Sequence, residues 1–274
     1  MGYPMSQNIS KKFNLKAYNR TFDRMIGLER NNIKLCKSVE QVCENSNIII
    51  SMLPDDKEVL DTVKKVSNYM QSGSIFVDMS STKVSTAIEC CNILKLVNID
   101  FLDAPVSGGP EGAKLASLAI MAGGQERIFL KAKEVLETMG RPILVGPNGS
   151  GQVAKLCNQI IVGATIGAVS EAIILCENNR TDPKKFVNAM TGGFADSKIL
   201  RNHGKRMIDK DFIARGKCIS HLKDMNNIID CASTKGLQLP ISNLIQKMFQ
   251  NLCDRGLQND DHSALYKEIL NKKH

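Results

Sequence analysis

Between residues 47 and 103, short apolar runs of strand length alternate with segments of helical length, and this rhythm limits the fold more than any other feature of the chain. Asn47-Ile48-Ile49-Ile50-Ser51-Met52-Leu53-Pro54 is nearly continuous in apolar residues and stops at a proline. Strands buried on both faces of a parallel sheet read this way. A helix is predicted over 56–71, a strand over 74–79, a helix over 85–97 and a strand over 99–103. Alternation of this kind predicts a doubly wound parallel sheet with helices on both faces. Ahead of it, Met5, Ile9 and Phe13 recur at helical spacing, and residues 13–18 alternate like a half-buried strand. The stretch TFDRMIGLER reads as helical, IKLCKS as a short strand, and Ser38 as the cap of a short helix. Behind it come a glycine-rich loop, the strand SLAIMAGG, a helix over 125–139 and the strand PILVG.

Gly146-Pro147-Asn148-Gly149-Ser150-Gly151 is the sharpest break in the chain. It divides an α/β domain, residues 1–147, from residues 148–274, where no strand pattern remains. One long helix is expected over 152–178. Asp182-Pro183 supplies an N-cap followed by proline at the first helical position. Further helices are expected at 183–191, 195–209, 218–236, 240–255 and 260–271.

Composition narrows the function. The chain carries a net charge of +8, yet its basic residues are dispersed and it has four Tyr and no Trp to act as base-stacking platforms. A nucleic-acid partner is therefore not expected, and a small anionic partner suits the charge equally well. No apolar run approaches the roughly 20 residues of a membrane helix, so no membrane span is expected. The nine cysteines form no Cys-x-x-Cys pair, which reads as reduced thiols. The histidines at 203, 221, 262 and 274 show no ligand spacing, and no metal is expected.

Three stretches could carry chemistry. Asp103-Ala104-Pro105-Val106-Ser107-Gly108-Gly109 follows the carboxyl end of a predicted strand, where open parallel sheets bind ligands. Its glycine amides and Ser107 hydroxyl could meet an anion, although a plain turn would use the same residues. In Gly149-Ser150-Gly151-Gln152-Val153-Ala154-Lys155-Leu156-Cys157-Asn158-Gln159, Lys155, Asn158 and Gln159 stand at i, i+3 and i+4 and share one helical face. An amine beside two amides suits general acid/base work; a surface lysine with capping amides is the alternative. His221-Leu222-Lys223-Asp224-Met225 could be a solvated helix face.

Taken together, FLDAPVSGG, GSGQVAKLCNQ, HLKDM and DDHSAL resemble the substrate, catalytic, cofactor-closing and C-terminal signatures of the β-hydroxyacid dehydrogenase family, in family order from residue 2 to about 270. The resemblance implies a Rossmann domain, a helical domain, and hydride transfer between NAD(P) and a small 3-hydroxy acid or semialdehyde such as 3-hydroxyisobutyrate or tartronate semialdehyde. It implies Lys155 as the catalytic acid/base, with Ser107, Gly108, Gly109 and Asn158 holding the substrate carboxylate. Leu53, Pro54 and Ser81 would contact the cofactor, and Lys223 would close over it. A homodimer or homotetramer is implied as well. Ala116 departs from the family, which usually has glycine there.

The family's chains begin with a strand and G-x-G-x-x-G, of which Gly2 matches only the last glycine. The expectation is a chain lacking its first strand and turn. That absence also leaves open a rival reading, a non-catalytic assembly protein that has lost nucleotide binding. At the end of the second family strand, where NAD enzymes place an acidic residue, this chain has Asn19-Arg20-Thr21. An arginine there can pair with a 2′-phosphate, so NADP is expected over NAD. The first 30 residues show no targeting pattern; the expected compartment is the cytoplasm, with mitochondria open because a presequence would lie ahead of Met1.

Overall fold

The structure is a computed structural model and describes residues 1–271; His274, one of the four histidines, lies outside them. The chain forms two compact units, Met1–Lys155 and Leu156–His274. This division falls eight residues beyond the boundary read from the glycine-rich break, because the first turn of the following helix is bonded into the sheet.

In the first unit the elements run α1 (Gly2–Ile9), β1 (Lys16–Ala17), β2 (Lys34–Leu35), α2 (Val39–Cys43), β3 (Ile48–Ser51), α3 (Asp56–Val66), β4 (Ile75–Asp78), α4 (Val84–Lys95) and β5 (Asp100–Asp103). They continue through β6 (Val106–Ser107), α5 (Gly109–Lys114), β7 (Leu118–Gly123), α6 (Glu126–Glu137) and β8 (Gly140–Gly146). Strands β3, β4 and β5 pair in parallel, with Ile48 opposite Ile75 and Ile75 opposite Asp100. All four residues of β4 are buried. Ile75 and Val77 enter one apolar cluster with Met5 of α1 and Phe129 of α6; Phe76 enters another with Val63 of α3 and Leu94 of α4. A strand that feeds cores on both faces has no polar side to show, which is why its sequence does not alternate. Each such side chain contributes about 1.5–3 kcal/mol on burial.

Two features differ from the expected sheet. First, β7 runs antiparallel to β5 and β6, although parallel to β8. The chain between β6 and β7 is too short for the dozen-residue crossover that a parallel neighbour needs. Second, β1 and β2 form a separate two-stranded parallel ladder. No described strand pairs with both β1 and β3, so the ladder remains in two pieces. The stretch read as helical over 21–30 is instead two 3₁₀ turns, Phe22–Met25 and Leu28–Asn31. Gly27 between them takes φ 97°, and a Cβ there would lie 2.8 Å from the Tyr3 hydroxyl.

The second unit is helical: most of α7 (Ser150–Asn178), then α8 (Pro183–Met190), α9 (Lys198–Ile208), α10 (Cys218–Ser233), α11 (Pro240–Asp254), a 3₁₀ turn at His262–Ala264 and α12 (Leu265–Asn271). Gly163 and Gly167 of α7 face α10 and α11. A Cβ on Gly163 would meet His221 Nε2 at 2.7 Å, and one on Gly167 would meet Ile245 at 3.0 Å. Contrary to the reading from apolar runs, α7 is long and apolar enough to cross a membrane by length and composition. Leu156, Ile166, Ile173 and Ile174 are buried in the protein, as in the core helix of a helical domain.

Candidate active site

The site grows from the carboxyl end of β5. Asp103, the last residue of that strand, is fully buried. Its Oδ1 accepts the Gly149 amide at 2.7 Å and its Oδ2 the Gln152 amide at 2.9 Å. One carboxylate thus takes up amide hydrogens around the start of α7, which have no partner inside the helix. Burial pushes the Asp103 carboxyl up to about 7, against the pull of these same donors. The approach is close because Gly151 lacks a side chain: a Cβ there would lie 2.4 Å from the Met121 carbonyl and 2.5 Å from that of Asp103. One turn further along the helix, the half-buried Lys155 donates from Nζ to the Val106 carbonyl at 2.9 Å. Val106 immediately precedes Ser107, and Gly108 and Gly109 follow with φ of 136° and 64°. Tertiary structure therefore brings the Lys155 ammonium to the Ser107-Gly108-Gly109 loop from 46 to 48 positions away in sequence.

A second set gathers at the ends of β3 and β4. Asp78 Oδ1 accepts from the Ser51 hydroxyl at 2.7 Å and the Ser80 hydroxyl at 2.6 Å. Full burial raises its pKa, and these bonds oppose the shift. Ser80 Oγ in turn accepts the Leu53 amide at 2.8 Å. The Leu53-Pro54 and Ser81 segments, read separately as cofactor contacts, are thereby tied through a residue that sequence reading did not single out. Gln152 reaches the same loop from α7, donating from Nε2 to the Ser80 carbonyl at 2.9 Å and accepting the Thr82 amide at Oε1 at 3.1 Å.

Asn19, Arg20 and Thr21 follow β1. With Tyr18, Phe22, Cys36 and Lys37, Asn19 and Arg20 line a cavity of about 250 Å³. Arg20 is already engaged: its guanidinium bonds Glu58 Oε1 of α3 at 2.6 Å. Asn19 Oδ1 accepts the Thr21 amide at 3.4 Å. This donor set of guanidinium, ammonium and carboxamide fits a ribose phosphate. Gly2 opens α1, where a Cβ would meet only Met52, at an ordinary 3.9 Å; no described contact demands glycine there.

In the helical unit, Asn158 Nδ2 donates to Gln159 Oε1 at 2.8 Å, and Gln159 Nε2 donates to Asp224 Oδ2 at 2.6 Å. Lys223 Nζ lies 3.9 Å from Asp224 Oδ1. The pair read as a solvated face is thus half correct: Lys223 is partly exposed, whereas Asp224 is buried in a relay that reaches Asn158. Sequence reading also missed a cluster formed by His203 and His262, whose Nε2 atoms share a 2.8 Å hydrogen bond, with Asp261 beside them. Those three could offer ligand atoms within 4.8 Å of one another. The Asp261 oxygens, however, already accept from Arg206, Ser263, Arg215 and Gly216. The guanidinium of Arg206 on the same carboxylate opposes a second cation. Burial drives His203 down to about 3, helped by His262 and Arg206.

Asp103 and Gln152 both lie inside stretches that sequence singled out, yet neither received a role. Polar residues directly at a strand end and inside the first turn of an apolar helix were the available signal. All nine cysteines are free.

The sequence profile of the NAD-binding domain of 6-phosphogluconate dehydrogenase matches residues 1–154, and that of the NAD-binding region of NADP-dependent 3-hydroxyisobutyrate dehydrogenase matches 149–269. The 2-hydroxy-3-oxopropionate reductase of Escherichia coli is 37% identical, covering 98% of this chain and 94% of its own. A probable mitochondrial 3-hydroxyisobutyrate dehydrogenase of Dictyostelium discoideum is 32% identical over 99% and 88%. The solved 3-hydroxyisobutyrate dehydrogenase of Mycobacterium tuberculosis with L-serine superposes with a TM-score of 0.89 at 24% identity, over 98% of this chain and 95% of that one; this likeness is one of fold.

Proposed function

As this chain belongs to the β-hydroxyacid dehydrogenase family of nicotinamide-dependent oxidoreductases, we propose that it reduces a small 3-carbon or 4-carbon semialdehyde to the 3-hydroxy acid with NADPH, reversibly, and that 2-hydroxy-3-oxopropionate is the first substrate to try. The observation that carries the reading is the 2.9 Å bond from Lys155 Nζ to the Val106 carbonyl, which holds an ammonium beside a loop able to grip a carboxylate. The nicotinamide supplies or accepts the hydride. The rest is this chain's own chemistry. Amides of Gly108 and Gly109 and the Ser107 hydroxyl orient the substrate carboxylate, so that its carbonyl oxygen meets Lys155 Nζ. Lys155 gives that oxygen a proton as the carbonyl is reduced and takes it back in oxidation. Asn158, one turn beyond Lys155, adds to the carboxylate grip, and Lys223 adds to the hold on the cofactor.

NADPH over NADH rests on Arg20, which follows β1, with Lys37 lining the same cavity; Arg20 is paired with Glu58. A homodimer or homotetramer in the cytoplasm completes the reading. Exposed Ile161 and Leu175 on α7 offer the helical unit an apolar face for a second copy.

The test is steady-state kinetics with 2-hydroxy-3-oxopropionate and methylmalonate semialdehyde, each with both cofactors. Lys155→Met is expected to lower kcat by about 10²–10⁴-fold while NADPH binding, followed by its fluorescence, stays unchanged. Full activity in that variant would remove Lys155, and this mechanism with it.

A further inference from the structure

Gln152 is fully buried, and its carboxamide points away from its own helix. Its two hydrogen bonds fall on either side of one residue: Nε2 takes the carbonyl of Ser80 and Oε1 the amide of Thr82. Ser81 lies between them. A carboxamide donates to a carbonyl from its nitrogen and accepts from an amide at its oxygen with the same side chain. The neighbouring amides of this loop are held by other elements. Ser80 donates its amide to Asp78 at 3.2 Å, and Lys83 donates its amide to Asp56 at 2.7 Å. The loop is therefore anchored at both ends by its own side of the sheet, and Gln152 ties its middle to α7. On that helix, Lys155 follows three residues later and reaches the Val106 carbonyl. The backbone of Gln152 is itself fixed, because its amide donates to Asp103.

We propose that Gln152 is a positioning residue: it locks the Ser80–Thr82 loop to the turn of α7 that carries Lys155, so that a cofactor resting on Ser81 and the proton on Lys155 are set at one fixed separation. This inference deepens the reading given under Proposed function and rests on it. A residue that merely filled a polar hole would cost stability when replaced and leave the chemistry of the folded protein untouched. A lock must also alter the geometry of transfer.

Three variants of the full chain separate these roles. Gln152→Glu keeps an acceptor for the Thr82 amide and, when ionised, loses the donor to Ser80. Gln152→Asn keeps the chemistry on a shorter arm, and Gln152→Leu removes both bonds. In the free protein, hydrogen exchange at the Thr82 amide is expected to quicken at least tenfold in the Leu variant and to stay near its native rate in the Glu variant. With NADPH present, kcat is expected to fall about tenfold or more in the Leu and Asn variants, the scale of loss that follows from misplacing reacting groups by under an ångström. The KM for the semialdehyde should stay within about twofold, because the loop gripping the carboxylate is not touched. The isotope effect with 4-deuterated NADPH should rise as transfer becomes slower. Native kcat and isotope effect in variants whose Thr82 amide exchanges freely would overturn the inference while leaving the proposed function standing. A wild-type chain without activity, or an active Lys155→Met variant, would instead overturn the function. Should Gln152→Leu fail to fold, Gln152→Asn, whose shorter arm also frees the Thr82 amide, carries the same comparison.

Discussion

Ala116 shows what one residue can reveal. It sits between α5 and β7 with φ 53°, in the left-handed region, where the family usually has glycine. The Ser117 amide closes the turn onto the Gly112 carbonyl at 2.9 Å, so the conformation is enforced from outside the residue. A side chain there costs about 1–2 kcal/mol, of which roughly 0.5–1 returns as lower unfolded-state entropy relative to glycine. Ala116→Gly is therefore expected to stabilise the protein by about 0.5 kcal/mol, a rise of roughly 1–2 °C in Tm by calorimetry. At the cofactor end, the exposed Arg20 is held by Glu58 at 2.6 Å. On the proposed NADPH reading a 2′-phosphate would compete with that carboxylate for the guanidinium, and exposed pairs are worth only about 0.2–1 kcal/mol. Glu58→Gln is accordingly expected to tighten NADPH binding about threefold and leave NADH unchanged in calorimetric titrations. Tighter binding of both cofactors alike would rule out Arg20 as the phosphate contact.

Among the elements, α7 matters most, because its first two turns are joined to three separate segments. Asp103 takes its amides, Gln152 ties it to the Ser80–Thr82 loop, and Lys155 meets Val106. Gly151 permits this approach, and an added methyl would press on the Met121 and Asp103 carbonyls, which are backbone atoms that cannot swing aside. Gly151→Ala is expected to destabilise the protein by on the order of 3 kcal/mol in urea unfolding. It should also lower kcat at least tenfold, although Lys155 itself is unchanged. Loss of stability without loss of turnover would show that the position of α7 is not critical to the chemistry.

At the scale of the whole chain, the shifted groups of the two units predict opposite responses to acid. His203, in the helical unit, has a folded pKa of about 3 against its ordinary 6.5. The folded state binds fewer protons there, so this contribution is complete above about 6.5 and is lost as pH falls toward 3. Asp261, held below its ordinary value by its donors, adds a loss below about 3.8. In the α/β unit, Asp103 has the reverse shift, to about 7 from 3.8. Its contribution is complete below 3.8 and is lost as pH rises through 7; Asp78, also raised by burial, acts in the same sense. Between pH 7 and pH 5, exchange-protected amides of the helical unit are expected to lose protection once exchange rates are corrected for pH, while those of the α/β unit gain it. His203→Gln should flatten the first trend and Asp103→Asn the second. Parallel trends in both units would contradict the assignment.

Local sequence determined the elements that need no partner to be recognised. The all-buried β4, the capped helices α2 and α8 and the break at 146–151 follow from apolar period and turn chemistry, which act over a few residues. The candidate groups at positions 107–109 and 155 were legible through resemblance to the family's motifs, since a plain turn or a surface lysine would use the same residue types. Tertiary structure alone decided the rest. It turned β7 antiparallel, reduced the stretch after Thr21 to 3₁₀ turns, placed Asp224 in a buried relay, and joined His203 to His262 across 59 positions. It also gave Asp103 and Gln152 their partners. A hydrogen bond between distant segments leaves no period or spacing along the chain; it exists only once packing has brought donor and acceptor within about 3 Å of each other.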